Sequence, residues 1–234
     1  MPKTIDREIE ILLETPDLLV AAKPVGLSTT SPPGTDSLEA RLRCQCASKA
    51  SYLHAVHRLD ACVSGIVIFA TRKKAARLLS QQFEARIVKK SYDAIVEGTW
   101  QYAGSVGELD GCYLWTDWLQ KCEDQPRVRI ANSRASGAMR AITRVRVNNQ
   151  QVGLAHQTRL QLFPETGRMH QLRIQCASRG HRIVGDSWYR NDGLPEQSKA
   201  IALNASRIQF HDPTNATRRH VTCLPTRAGN PYFV

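Results

Sequence analysis

His57-Arg58-Leu59-Asp60-Ala61-Cys62-Val63-Ser64-Gly65-Ile66-Val67-Ile68-Phe69-Ala70 is the stretch from which the rest of the chain can be read. Its second half is short, apolar and rich in β-branched residues, and it is bounded by Gly65 and by Thr71-Arg72. That pattern predicts a buried strand. The polar tetrad His57-Arg58-Leu59-Asp60 then falls in the loop that feeds the strand. A carboxylate in such a loop is held by a rigid element and still faces solvent or a substrate. Taken alone, the tetrad equally describes a turn that Asp60 caps while pairing with Arg58.

Upstream, residues 1–17 form a lead-in with a possible short strand over Ile9–Leu13. Leu18–Ala22 is an apolar strand, and Lys23-Pro24-Val25-Gly26 ends it, because Pro and Gly stop a strand and turn the chain. Asp36 or Ser37 caps a helix running to about Ala47, with Leu38 and Leu42 on one face. Downstream, Lys73–Arg86 has the spacing of an amphipathic helix. Ala75, Ala76, Leu79 and Phe83 form its apolar side. Lys89–Gly98 alternates as a strand that sets Tyr92, Ala94 and Val96 on one face. Residues 99–126, with Trp100, Trp115 and Trp118, suggest loops and short strands at an edge. Ala138–Val147 and Gln157–Phe163 alternate as strands. A helix is expected from Thr166 or Gly167 to a C′ glycine at Gly180, with Met169, Leu172, Arg173 and Cys176 on one face and Arg173 emerging beside its buried neighbours. Ala200–Phe210 suggests a passage from helix to strand, broken at His211-Asp212-Pro213. With no low-complexity linker and no internal repeat, residues 18–234 are expected to form a single domain.

Composition narrows the class. The 234 residues are 42% hydrophobic and 23% charged, which is ordinary for a globular protein. No run of about 18 apolar residues is present to span a membrane, and the N-terminus lacks an apolar signal region, so a cytoplasmic location is expected. The cysteines at 44, 46, 62, 112, 122, 176 and 223 are odd in number and irregular in spacing, which favours reduced, mostly buried thiols over disulfides or a metal site. The net charge is +11 and the pI about 9.6, which points to a polyanionic partner. The charge is clustered. From Gln125 to Pro164 there is no acidic residue, but there are Arg127, Arg129, Arg134, Arg140, Arg144, Arg146 and Arg159. Arg72, Lys73, Lys74, Arg77, Arg86, Lys89 and Lys90 are interrupted only by Glu84. Clusters of one sign suit a phosphate backbone, whose binding is driven by counterion release.

The ordered motifs carry a resemblance. Lys23-Pro24-x-Gly26, His57-Arg58-Leu59-Asp60-x-x-x-Ser64-Gly65, Lys90-x-Tyr92-x-Ala94-x-Val96-x-Gly98, Thr166-Gly167-Arg168-x-His170-Gln171-Leu172-Arg173 and Gly180-His181-x-Ile183-x-Gly185-Asp186-x-x-Tyr189 resemble those of the RluA family of RNA pseudouridine synthases, from about Leu18 to Pro213. Val63, Met169, Arg182 and Asn204 depart from the family pattern, beside the matched positions.

The resemblance implies an α+β fold, a mixed and mostly antiparallel sheet flanked by helices with a central RNA-binding cleft, in a catalytic domain without the S4 module of some relatives. It implies isomerisation of uridines in ribosomal or transfer RNA to pseudouridine, with no metal, no cofactor and no protein partner, by a monomer. Asp60 matches the catalytic aspartate, Arg173 the arginine that pairs with it, and Tyr92 the tyrosine that stacks on the target uracil. His57, Arg58, Lys90, Arg168 and His170 are expected on the RNA-binding side: His57 and His170 as orienting hydrogen-bond residues, Arg58 in the space the base leaves or in a salt bridge or phosphate contact, and Arg168 on phosphate or bracing the helix start. A pure RNA-binding protein on the same scaffold is the alternative. A serine hydrolase, suggested only by Ser64 near His57, lacks the Gly-x-Ser-x-Gly elbow.

Overall fold

The computed structural model describes residues 8–46, 52–100, 106–107, 111–151, 156–189 and 199–233. Its strands are β1 (Ile11–Glu14), β2 (Leu18–Lys23), β3 (His54–Ala55), β4 (Ser64–Ala70), β5 (Lys89–Glu97), β6 (Val106–Gly107), β7 (Cys112–Lys121), β8 (Val128–Ile130), β9 (Met139–Gln151), β10 (Gln157–Pro164), β11 (Leu203–His211) and β12 (Arg218–Thr222). The helices are α1 (Leu38–Gln45), α2 (Lys73–Glu84) and α3 (Gln171–Ala177), followed by a 3-10 turn at Ser187–Tyr189. The chain divides into two compact units: residues 1–88 with 204–234, and residues 89–203.

The first unit is built on β4, all seven residues of which are buried. A strand covered on both faces has no polar side, so the sequence shows a continuous apolar run. One edge of β4 pairs antiparallel with β2, from Leu18↔Ala70 to Lys23↔Gly65. The other edge takes β3 at its C-terminal end and, in parallel, β11 at its start, with Asn204↔Ser64 and Ala205↔Gly65. β1 extends the sheet beyond β2, and β12 pairs with β11. Leu79, Ala75 and Ala76 of α2 pack on Leu18, Val20, Ile66, Ile68 and Phe210. Burying a side chain such as Leu79 contributes about 1.5–3 kcal/mol. α1 starts where Ser37 accepts a hydrogen bond from Ala40 N at 3.1 Å, and it buries Leu38 and Leu42.

The second unit is an antiparallel sheet in the order β5-β10-β9-β7-β6, with β8 on β7. α3 lies against one of its faces, where Gln175 bonds Thr143 of β9 and Asp117 of β7.

Three expectations are corrected. Part of the segment expected as loops and short strands is the ten-residue strand β7, although 101–105 and 108–110 lie outside the described residues. Its inward positions are Trp115, Asp117 and Leu119, and the carboxylate among them spoils the apolar alternation. The expected helix from Thr166 begins only at Gln171, because the side chain of Gln171 ties down the preceding loop and His170 adopts a left-handed φ of 49°. Ala200–Phe210 contains no helix; it leads directly into β11. The seven cysteines stand outside any disulfide, and five of them are buried.

Gly65 is where β4 and β11 meet most tightly. Its φ is +115°, and an added Cβ would stand 2.6 Å from Ala205 N. Gly65→Ala is expected to cost several kcal/mol, combining about 1–3 kcal/mol of backbone strain with a similar overpacking penalty. At Gly34 φ is +84° with no heavy atom near the added Cβ, so Gly34→Ala should show the backbone term alone. Urea unfolding of both variants checks this; equal losses would contradict the reading.

Candidate active site

In the first unit the backbone on either side of Asp60 is pinned. The buried Thr29 hydroxyl donates to Leu59 O at 3.0 Å and accepts from Leu59 N at 3.1 Å. After the aspartate, Ala61 O accepts from Gly26 N at 2.8 Å and from the Lys23 ammonium at 3.1 Å. Asp60 O itself accepts from Val63 N at 3.0 Å. Leu59 is buried, Asp60 is half-buried and Arg58 is exposed. A carboxylate on such a turn reaches its surroundings while its backbone stays fixed, which is the preorganisation that covalent chemistry needs.

Lys23 is the residue whose chemistry the sequence understated. Its side chain is fully buried, and Nζ also donates to Pro24 O at 2.9 Å and Leu27 O at 2.7 Å. Three carbonyl acceptors match the three N–H groups of an ammonium. Burial drives the amine the other way, down to about 7, and the nearby Cys62 and Asp60 offset this only in part. Lys23 therefore ties the turn after β2 to the turn that carries Asp60.

His57 and Ser64 serve the frame. Ile68 N donates to His57 Nε2 at 3.1 Å, and the imidazole packs on Phe83 with 4.9 Å between ring centroids. Ser64 is buried; its hydroxyl donates to Asn204 Oδ1 at 2.7 Å and accepts from Asn230 Nδ2 at 2.9 Å. A hydroxyl so engaged does not fit the role of a hydrolase nucleophile.

In the second unit Lys90, Tyr92, Arg168, His170 and Arg173 gather on and beside the face of the sheet that carries α3. Tyr92 pairs with Leu162, which pairs in turn with Val145, so these side chains share one face. Lys90, two residues before Tyr92, shares that face. Its Nζ lies 3.5 Å from where a Cβ on Gly167 would stand, and burial holds its pKa below the ordinary lysine range.

The loop before α3 is ordered by Gln171. Its Oε1 accepts from the Thr166 hydroxyl at 2.8 Å and from Arg168 N at 3.0 Å, while its Nε2 donates to Ile142 O and to the Thr143 hydroxyl. Arg168 Nε reaches Arg140 O at 3.2 Å. His170 Nδ1 lies 2.9 Å from the Tyr189 hydroxyl, and its ring stands edge-on to Trp188 and Tyr189.

Arg173 does not emerge from its helix as expected. It is buried and gripped by Asp186, Nε to Oδ2 at 2.7 Å and Nη2 to Oδ1 at 2.8 Å. Its guanidinium also lies 5.4 Å from the Tyr189 ring centroid. Asp186 sits in the quoted Gly185-Asp186-x-x-Tyr189 motif, which gave its position but not its partner. Side-chain exposures of 5% and 1% mark a pair in which each charge depends on the other. Asp186→Ala is expected to cost about 3–5 kcal/mol by leaving a buried guanidinium uncompensated. Arg173→Met combined with Asp186→Leu should cost much less. A double-mutant cycle in urea checks this, and losses that simply add would contradict it.

With this geometry described, comparison with known proteins is informative. A family model for RNA pseudouridylate synthases matches residues 17–178. The dual-specificity RNA pseudouridine synthase RluA of Haemophilus influenzae is 32% identical over 211 residues, 88% of each chain. The protein of the same name from Pasteurella multocida is 33% identical over 218 residues, 89% of each chain. The solved structure of human RNA pseudouridylate synthase domain containing 1 superposes with a TM-score of 0.76 at 23% identity, covering 97% of this chain and 89% of that one. That likeness shows the α+β pseudouridine synthase fold. The chain belongs to the RNA pseudouridylate synthase family, isomerases that convert uridine in RNA to pseudouridine.

Proposed function

We propose that Asp60 is the nucleophilic carboxylate of this reaction, acting on uridines of ribosomal and transfer RNA. The observation that carries the assignment is the pinned turn: a half-buried carboxylate whose neighbours on both sides are held by buried Thr29 and Lys23. The reaction breaks the bond between uracil N1 and C1′ of the ribose, turns the base, and joins C5 to C1′. The C5 proton leaves to solvent and N1 gains one, so the balance needs no oxidant, reductant or cofactor.

The other groups take roles consistent with their chemistry. Tyr92 offers an aromatic face for a uracil taken out of its stack. The Arg173 guanidinium has five N–H donors, two of them on Asp186, and it is the proposed partner that keeps Asp60 ionised. Arg58 fills or supports the space the base leaves, Lys90 and Arg168 contact phosphate, and His57 and His170 orient their loops.

The names of the relatives include dual specificity, which supports an enzyme with more than one RNA substrate. Among the described residues no helix is long and apolar enough to cross a membrane. A monomer working in the cytoplasm is the simplest reading of a basic enzyme that acts on cellular RNA.

The test is tritium release from RNA labelled at uridine C5, with transfer and ribosomal RNA taken separately from cells lacking the protein. Wild type should release tritium, and Asp60→Asn should abolish release while RNA binding and the unfolding midpoint stay close to wild type. A residual rate within about tenfold of wild type, some 1.4 kcal/mol of barrier, would overturn the role given to Asp60.

A further inference from the structure

The acid-free stretch from Gln125 to Pro164 supplies no group to the chemistry proposed above, and strand register shows where much of its charge lies. Cross-strand partners share a face of a sheet. Trp118 pairs with Arg140, Thr116 with Ile142, and Leu114 with Arg144. On the other edge of β9, Gln161 pairs with Arg146 and Phe163 with Arg144. These residues therefore form one face of β7, β9 and β10. The alternate residues Asp117 and Thr143 bond α3, and Leu162 pairs with Tyr92. The arginines thus occupy the face of this sheet opposite to Tyr92 and α3.

This outer face is open. Arg140, Arg144, Arg146 and Thr116 are exposed, and Leu114 is 57% exposed. Trp118, Ile142 and Phe163 are half-exposed among them. Arg146 lies over the Phe163 ring, 5.7 Å from its centroid, and Glu165 bonds Arg144 at 3.0 Å. Asp93, paired with Gln161, and Glu97, paired with Gln157 and bonded to Arg182, are the other acidic groups on this side of the described sheet. Successive outward residues of β9 recur about every 6.4–6.8 Å, a spacing comparable to that of successive phosphates along a nucleic-acid strand. Arginines and aromatic rings are enriched in protein interfaces as well, so the discriminating feature is the excess of positive charge at the centre of this face, which a polyanion matches. That composition suits phosphate backbone with stacked bases.

We propose that the outer face of β7, β9 and β10 is a second RNA-binding surface, which holds parts of the substrate remote from the target uridine. The proposal rests on the reading of the chain as an RNA-modifying enzyme but not on any catalytic role. Arg140, Arg144 and Arg146 neutralise phosphates, while Trp118 and Phe163 stack on unpaired bases. The surface gives affinity for large folded RNA without contributing to the chemical step.

The experiment uses the full chain with Arg140→Gln, Arg144→Gln and Arg146→Gln combined. Fluorescence anisotropy is measured across a salt series with a labelled, unmodified transfer RNA transcript and with a short oligouridine. The triple variant should bind the transcript at least about tenfold more weakly, and its slope of log affinity against log salt should fall by about 2–3. Oligouridine affinity and tritium release at saturating RNA should match wild type. Unchanged affinity and slope for the transcript would overturn the proposal, and so would an equal loss for oligouridine. A second measurement needs no variant: a 4-thiouridine transcript irradiated on wild type should cross-link to peptides containing Trp118 or Phe163, and cross-links confined to other peptides would overturn it. Binding is read without turnover, so absence of tritium release from wild type counts against the proposed function and leaves this test standing.

Discussion

The Thr29 hydroxyl bonds both backbone groups of Leu59, and the site of the first unit depends on that clamp. A loop that enters a buried strand is normally anchored only at the strand end. Here it is anchored before the aspartate by Thr29 and after it by Lys23 and Gly26 on Ala61 O. All three anchors come from the last residue of β2 and the segment that follows it, and the position of β2 is set by its ladder with β4. The path from sequence to chemistry is therefore short. An apolar run makes β4, β4 fixes β2, and the turn after β2 holds the turn that carries the carboxylate.

The second unit solves a related problem with side-chain amides. α3 is only seven residues long, too short to be stable by propensity alone. Gln171 fixes its entry through Thr166, Arg168, Ile142 and Thr143; Gln175 joins Thr143 to Asp117, and Arg179 closes the chain on Asp117 at 3.1 Å. A polar network of this kind, satisfied except at Arg179 Nε, specifies one arrangement, because an alternative packing would strand more buried donors and acceptors. Arg173, on the same helix, is held by a bidentate ion pair with Asp186, which precedes the 3-10 turn at Ser187–Tyr189. The network thus sets the position of an arginine that propensity could not.

How legible this was depended on which force shaped each element. β2 and β4 are continuous apolar runs, β10 and α2 follow apolar periodicity, and the sequence shows all four because burial made them. β7 was hidden because Asp117 sits at an inward position and is satisfied by Gln175 and Arg179, partners that lie far along the chain. The start of α3 was misplaced because Gln171 holds residues 166–170 out of the helix, a tertiary constraint with no local signature. Lys23 and Asp186 stood in the recognised motifs, but motif matching gives positions and not partners. Thr29 carried no signal in the sequence, since a buried threonine in a polar loop looks like any loop threonine until its partner is known. The clustered arginines were plain from the start, and strand alternation alone sets Arg140, Arg144 and Arg146 on one face; the register of β7, β9 and β10 adds Trp118 and Phe163 beside them.

On the proposed role of Asp60, the backbone clamp, rather than the carboxylate alone, sets the rate. The most direct test is Thr29→Val, which keeps the side chain's size and removes both hydrogen bonds to Leu59. Single-turnover pseudouridine formation at saturating RNA should fall by about a hundredfold, the scale of a misplacement near 1 Å, while RNA affinity is retained. A rate within a factor of about three of wild type, in a variant as well folded as wild type, would contradict the account.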